Sequence, residues 1–339
     1  MRWVRHLPIA LACLLLTACS QGTPAPVVHG WTMEWRTRVG QTPGPITVGG
    51  QWAFVPNMSD GTVSQIDGAS GHVVATIKIA DPGVLRAQGC APDSVHAYYS
   101  GSWGWRACDT PYATAWDGKY LWALDNGDRL LVRVDPAKRQ ATERIGVPGT
   151  GWSIAFGRGQ AYVSGFADNH ALYDVDLQNG NVTSVETLDT GPASLTFDGS
   201  SVWVACVRAG TGQLDQFDPS TKQVVARDTI EWWSTAIVAD KGSLYVRGTF
   251  GGDISRVDPA SGKITWTQPG PGYIGRQGID QMGPASDGIW MSGPTTSRVD
   301  LGTGAIVDRI GVPSASVASG AGAVWLLELD GSVAKFVLK

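Results

Sequence analysis

The chain has 339 residues, 44 of them glycine, with 17% charged side chains and a formal net charge of −4. A mildly acidic body of this kind lacks the basic patch that nucleic-acid binding needs, and no stretch beyond the N-terminus is apolar enough to cross a bilayer as a helix. Two average domains would fit the length, but one repeat covers nearly all of it, which favours a single large domain.

At the N-terminus, Arg2 and Arg5 precede the apolar stretch Ile9–Leu16, and Leu16-Thr17-Ala18-Cys19 follows. A basic head, a short apolar run and small residues at a cleavage point define an export signal. The last four residues resemble a bacterial lipoprotein lipobox. Residues 1–18 are therefore expected to be a signal peptide, with Cys19 lipidated as the new N-terminus; an ordinary secretory signal is the alternative. Residues 19–28 are small, polar and proline-containing, as in a tether. This reading puts the protein outside the cytoplasm, at the cell surface or in the periplasm, touching the membrane only through its lipid. Processing removes Arg2 and Arg5 and takes the net charge from −4 to −6.

From residue 29 onwards a glycine turn followed by a Trp or Tyr in a short apolar run occurs seven times. The aromatics are Trp52, Trp122, Tyr162, Trp203, Tyr245, Trp290 and Trp325, spaced by 70, 40, 41, 42, 45 and 35 residues. A period near forty with strand-like runs predicts an all-β, seven-bladed propeller of four-stranded blades over residues 29–339. The aromatics are expected in the second strands, packed between neighbouring blades. Third strands end in Asp, most clearly in Arg133-Val134-Asp135-Pro136, Gln216-Phe217-Asp218-Pro219 and Arg256-Val257-Asp258-Pro259. Asp supplies an acceptor to the turn backbone and Pro presets φ, so these carboxylates read as structural.

The seventh unit stops after a third strand, Ser332–Phe336. Thr37-Arg38-Val39-Gly40 repeats the fourth-strand endings Glu143-Arg144-Ile145-Gly146 and Asp308-Arg309-Ile310-Gly311. The segment near Trp31–Val39 is thus expected to complete the last blade and close the ring, since an open propeller leaves two unpaired sheet edges.

The one irregularity is an insertion at residues 80–110, between the first and second aromatics. It holds Tyr98, Tyr99, Trp103, Trp105 and Arg106 between Cys90 and Cys108. Export favours a Cys90–Cys108 disulfide, worth roughly 3 kcal/mol for a loop of that size. The insertion reads equally as a binding surface or as a cap over one mouth of the propeller. Cys206, within an alternating apolar run, reads as a buried free thiol. The cysteine and histidine spacing gives no metal site.

The order of the units, Val257-Asp258-Pro259-Ala260-Ser261-Gly262-Lys263 and the Asp-Gly-x-x-Trp/Tyr starts resemble the YVTN/YncE-like seven-bladed propellers and the streptogramin (virginiamycin B) lyase group. The resemblance covers residues 29–339 and is one of repeats. What it implies of the lyase group is a histidine with a glutamate and a divalent ion near the central axis. This chain has no Glu-x-His pair; His170 and Glu328 are the nearest acid/base candidates, and a divalent metal enters only on that reading. No other cofactor is expected.

Function on such a scaffold sits in loops. The loops leading into each blade bring Trp152, Glu231, Trp232, Trp233, Tyr273, Arg276 and Gln277. Those between second and third strands bring Asp125, Arg129, His170, Arg208, Arg247 and Glu328. Arg208 and Arg247 are expected at equivalent positions of adjacent blades. Together with Trp103 and Trp105, these aromatics and arginines suit a planar or anionic small molecule, or a peptide. The expected function is a monomeric ligand- or protein-binding module, the alternative a lyase or lactone/ester hydrolase.

Overall fold

Turn chemistry cuts the chain into strands. Asp67 Oδ1 accepts the backbone N–H of Ala69 and Ser70 at 3.2 and 2.8 Å, and Asp135, Asp218, Asp258 and Asp300 do the same for their own turns. Hydrogen bonds from Ser70 hold the Asp67 carboxyl below the usual carboxylate range, and bonds from Ser220, Ser261 and Thr303 do so for Asp218, Asp258 and Asp300. These five aspartates, and Asp176, whose Oδ1 accepts Gln178 N at 2.8 Å, are turn-builders, as their turn chemistry suggested.

The computed structural model describes residues 30–81, 83, 110–165, 170–188, 191–208, 211–230, 234–248, 252–272, 281–320 and 322–339. Its 28 strands form seven four-stranded antiparallel sheets. Blades 1 to 6 are consecutive in sequence, over residues 47–78, 114–146, 151–187, 191–230, 234–268 and 282–310. Blade 7 takes three strands from residues 314–338 and its outermost strand from Trp31–Arg38. Adjacent first strands touch all the way round, including blade 7 on blade 1, so the ring is closed. The signal peptide, Cys19 and most of the 80–110 insertion, with Cys90 and Cys108, lie outside the described residues.

Each seam between blades is filled by one row of side chains across the second, third and fourth strands. The row is Trp122–Arg133–Glu143 in blade 2, Tyr245–Arg256–Trp266 in blade 5 and Trp290–Arg298–Asp308 in blade 6. The second-strand aromatic packs forward onto the next blade: Trp122 against Ile154 and Val163, Trp203 against Ile237 and Val246, Trp325 against Ile46 and Val55. Trp122, Trp203 and Trp290 are at most 1% exposed, so these three seams each bury a whole indole and gain the full hydrophobic benefit.

In blade 1 the register corrects the sequence reading. Trp52 pairs with the turn residue Asp67, two residues short of the seam position, and Phe54 opposite Gln65 occupies that slot. Phe54 is fully buried and Trp52 only half-buried. Trp52 and Phe54 are two residues apart and share one face of the strand, so alternation alone does not choose between them.

The closing strand braces both neighbours. It pairs with the third strand of blade 7 from Trp31↔Leu338 to Arg38↔Ser332. Trp31 meets Trp290 of blade 6 edge-on, with ring centroids 5.1 Å apart, while Trp35 meets Trp325 at 5.2 Å and donates to Gly68 O of blade 1 at 3.3 Å. Gly71, at φ 73°, lies under the Trp35 indole, where a Cβ would be built into the ring. A glycine is needed there twice over, for the left-handed backbone and for the close approach.

Candidate functional site at the upper channel mouth

The innermost strands face an axial channel. The face carrying the loops into each blade and the loops between second and third strands is here called the upper face; the hairpins lie on the lower one. Among the described residues, those lining the channel, from Pro45–Val48 in blade 1 to Val317–Ser319 in blade 7, are all uncharged, and its volume is about 370 Å³.

A collar of hydroxyls meets the open edges of the first strands. Ser153 Oγ accepts Leu195 N at 3.2 Å, Ser194 Oγ accepts Ile237 N at 3.3 Å and Thr196 Oγ1 accepts Ala239 N at 3.1 Å. Ser316 Oγ accepts Ile46 N at 3.1 Å and donates to Gln281 Oε1 at 2.7 Å. An edge strand facing a wet channel needs such partners, and a serine supplies one without filling the bore. At the upper end Tyr112 and Trp152 meet with ring centroids 4.7 Å apart, Tyr112 buried and Trp152 half-buried. The mouth thus offers an aromatic surface above neutral hydroxyl and amide groups.

Several residues at this end lock loops. Arg247 is completely buried between blades 5 and 6. Its Nη1 donates to Ser292 Oγ at 3.0 Å and Gln281 O at 3.3 Å, and its Nη2 to Ser292 O at 2.8 Å and Gly272 O at 3.2 Å. These bonds tie blade 5 to the segments around blade 6. Arg208 is not its equivalent, as the sequence reading expected: register places Ala205 opposite Leu214 where blade 5 has Arg247 opposite Ile254, three residues earlier than Arg208. The backbone of Arg208 pairs with Thr211, and its side chain lies outside the described residues.

Glu328 and Asp125 occupy one position in blades 7 and 2, three residues beyond the seam aromatic. Glu328 Oε2 accepts Arg36 Nε and Nη2 at 2.9 and 2.6 Å, and Arg36 Nη2 also meets Asp330 at 2.6 Å. Asp125 is 1% exposed; its Oδ1 accepts Thr110 Oγ1 at 2.8 Å and the N–H groups of Gly127 and Asp128. Its Oδ2 has no hydrogen-bond partner among the described residues, and burial pushes the carboxyl up. Neighbouring Asn126 exchanges two bonds with the Gly151 backbone, fixing the way into blade 3.

His170 is exposed at the start of a third strand in blade 3, with φ 49°, and its carbonyl accepts Leu188 N at 2.6 Å. Glu328 belongs to blade 7, three blades round the ring, so the described contacts do not bring the two together. Among the described residues no three His, Cys, Asp or Glu side chains are grouped to hold a metal ion. Trp232, Trp233, Tyr273, Arg276, Trp103 and Trp105 lie outside the described residues. Sequence reasoning placed Trp152 in a loop leading into a blade but missed Tyr112 and Gln281. Tyr112 could have been found from Pro111-Tyr112, the first aromatic before the blade 2 strand.

No family model and no curated protein sequence matches the chain. Solved structures of the same architecture do. A chain of the Kuenenia stuttgartiensis hydrazine synthase structure is 16% identical over 93% of this chain and 97% of its own, with a TM-score of 0.66. A streptogramin B lyase structure is 14% identical over 91% and 98%, with a TM-score of 0.66. The β-propeller domain of Cps50 (Swd1) from Myceliophteria thermophila is 10% identical over 91% and 100%, with a TM-score of 0.68. At such identities the likeness is one of fold. The chain is a seven-bladed β-propeller.

Proposed function

We propose that this protein is a lipid-anchored, extracytoplasmic propeller that binds a neutral ligand at the upper mouth of its channel. The observation that carries this is the half-buried Trp152 ring, backed by the buried Tyr112, set above a channel whose described lining residues are all uncharged. Such a surface suits a ligand with a flat apolar face and hydroxyl or amide edges, as a saccharide has. An anionic ligand, which the arginine count suggested, gains less support, because Arg247 is buried in bonds to backbone and serine. Trp232, Trp233, Arg208, Tyr273, Arg276, Trp103 and Trp105 stay candidates for further ligand contacts on the sequence pattern alone.

Anchoring through Cys19 fits the way the propeller begins. Gly30 O accepts Lys339 N at 3.3 Å, and Trp31 lines a cavity among the lower hairpins. A tether arriving there leaves the upper mouth on the side away from the lipid. The alternative is a lyase or lactone/ester hydrolase with His170 and Glu328 as acid and base, supported by the fold shared with the streptogramin B lyase structure. The Arg36–Glu328 pair weighs against Glu328 as a free base. The two readings separate in one experiment: residues 29–339 titrated with N-acetylglucosamine oligomers and assayed for chelator-sensitive hydrolysis of a lactone. Saturable binding lost in Trp152→Ala supports the first; turnover lost in His170→Ala and with chelator overturns it.

A further inference from the structure

A second cavity opens on the opposite, lower face, at the seam between blades 6 and 7, and its volume is about 600 Å³. One position in the repeat contributes to its size, and it varies round the ring: blades 1, 5 and 6 carry Val48, Ala239 and Pro284 there, and three others carry rings. Opposite the residue that precedes each seam aromatic, the first strand carries Trp116 in blade 2, Phe156 in blade 3 and Phe197 in blade 4. These rings pack back onto the preceding blade: Trp116 stacks on Phe54 at 5.9 Å, Phe156 joins the blade 2 core, and Phe197 covers Gly157. In blade 7 the same position is Ser319, opposite Val324, flanked by Gly320 and Gly322. A hydroxyl that only reaches Pro284 O leaves the volume of an aromatic ring unfilled.

The walls of this space have unmet polar groups. Arg298 gives Nη1 to Asp287 and has Nη2 3.5 Å from Asp308 Oδ2, the same oxygen that accepts Trp31 Nε1 at 2.9 Å. Its buried Nε has no partner. Across the cavity, in the blade 5 hairpin, the buried Oδ2 of Asp240 also has none, while the adjacent Lys241 donates to Ser286 O. Both atoms lie behind the cavity wall with no hydrogen-bond partner among the described residues, which is uncommon in native proteins and marks this seam as incompletely packed. Both sit beside a half-buried Trp31. The ionisable lining residues are Asp240, Asp287, Asp308, Lys241 and Arg298, one negative charge in excess.

We propose that this seam binds a small organic cation, with its amine on the Asp240 carboxylate and an apolar or aromatic body against Trp31. The space is of the size that holds small ligands, and an ammonium near an indole gains a cation–π contribution beyond the ion pair. The site opens on another face from the channel mouth, and although Pro284 and Ser319 line both spaces, Asp240 and Trp31 line only this one.

Calorimetric titration of the protein with tyramine, tryptamine and phenethylamine tests the proposal. One saturable site is expected, weakened at least tenfold in Asp240→Asn and abolished in Ser319→Phe, which restores the ring that blades 2 to 4 carry. Neutral 4-ethylphenol should bind at least tenfold more weakly than tyramine. Should Ser319→Phe fail to fold, Asp240→Asn, an isosteric change in a turn, decides alone. No saturation by any of the three amines below about 1 mM, or equal affinity for Asp240→Asn and wild type, or for the phenol and the amine, overturns it.

Discussion

Replacing Trp35 by alanine separates a latched ring from a row of independently stable blades. Trp35 belongs to the closing strand yet packs on blade 1, through its edge-on contact with Trp325, its bond to Gly68 O and its cover over Gly71. A fully buried Trp→Ala change costs about 3–5 kcal/mol. Trp35 is half-buried, which reduces that to about 2 kcal/mol, and the edge-on ring contact adds about 1 kcal/mol. A loss of about 3 kcal/mol in a domain of about 310 residues, at about 2.1 cal/mol/K of unfolding entropy per residue, lowers Tm by roughly 4–5 °C. Differential scanning calorimetry should show that drop with a single transition preserved, while deletion of residues 29–40 should broaden or split the transition. A Tm within about 1 °C of wild type for Trp35→Ala, or unchanged melting of the deletion, would refute the reasoning that the strand holds two neighbours together.

Other outcomes follow from the same contacts. Arg247→Met leaves the carbonyls of Gly272, Gln281 and Ser292 short of donors and should cost about 3 kcal/mol in denaturant unfolding. Asp125→Asn keeps an acceptor for Thr110 and the turn and removes a buried charge, so its stability at pH 7 should equal or exceed wild type, whereas Asp125→Ala should fall by about 2 kcal/mol. Gly71→Ala must adopt a strained backbone under the Trp35 ring and should cost about 2 kcal/mol. Asp67, Asp218, Asp258 and Asp300 have carboxyls lowered by their turn bonds. Lowered folded values stabilise above the unfolded carboxylate pKa of about 3.9 and lose that contribution as pH falls through the folded values. Tm should therefore decline on acidification below about pH 4, and Asp258→Asn should flatten that decline slightly; an Asn variant with an unchanged profile contradicts the turn assignment.

The blades, their aromatics and the closing strand were legible because each depends on local pattern: a turn Asp, a glycine hairpin and alternation repeat every forty residues. Thr37-Arg38-Val39-Gly40 revealed the closing strand because it repeats the ends of other fourth strands. What was not legible depends on register across strands. Trp52 is the first aromatic after its turn, but only pairing with Asp67 shows that Phe54 holds the seam. Arg208 and Arg247 look alike at strand ends, yet pairing sets them three residues apart. The hydroxyl collar and the void beside Ser319 have no signature in one strand, since each arises from what the neighbouring blade presents. Arg247 shows the same limit: an arginine near a loop reads as a ligand contact until its hydrogen-bond partners are known.

The central claim is that the Tyr112–Trp152 mouth is where ligand is held, and one titration bears on it most directly. Residues 29–339, and the same chain carrying Trp152→Ala, are titrated with N-acetylglucosamine oligomers by calorimetry. The account predicts saturable binding by the parent chain and at least a tenfold loss in the variant, about 1.4 kcal/mol, with Tm lowered by no more than a few degrees. Binding by Trp152→Ala as tight as that of the parent chain, or none by the parent chain, contradicts it.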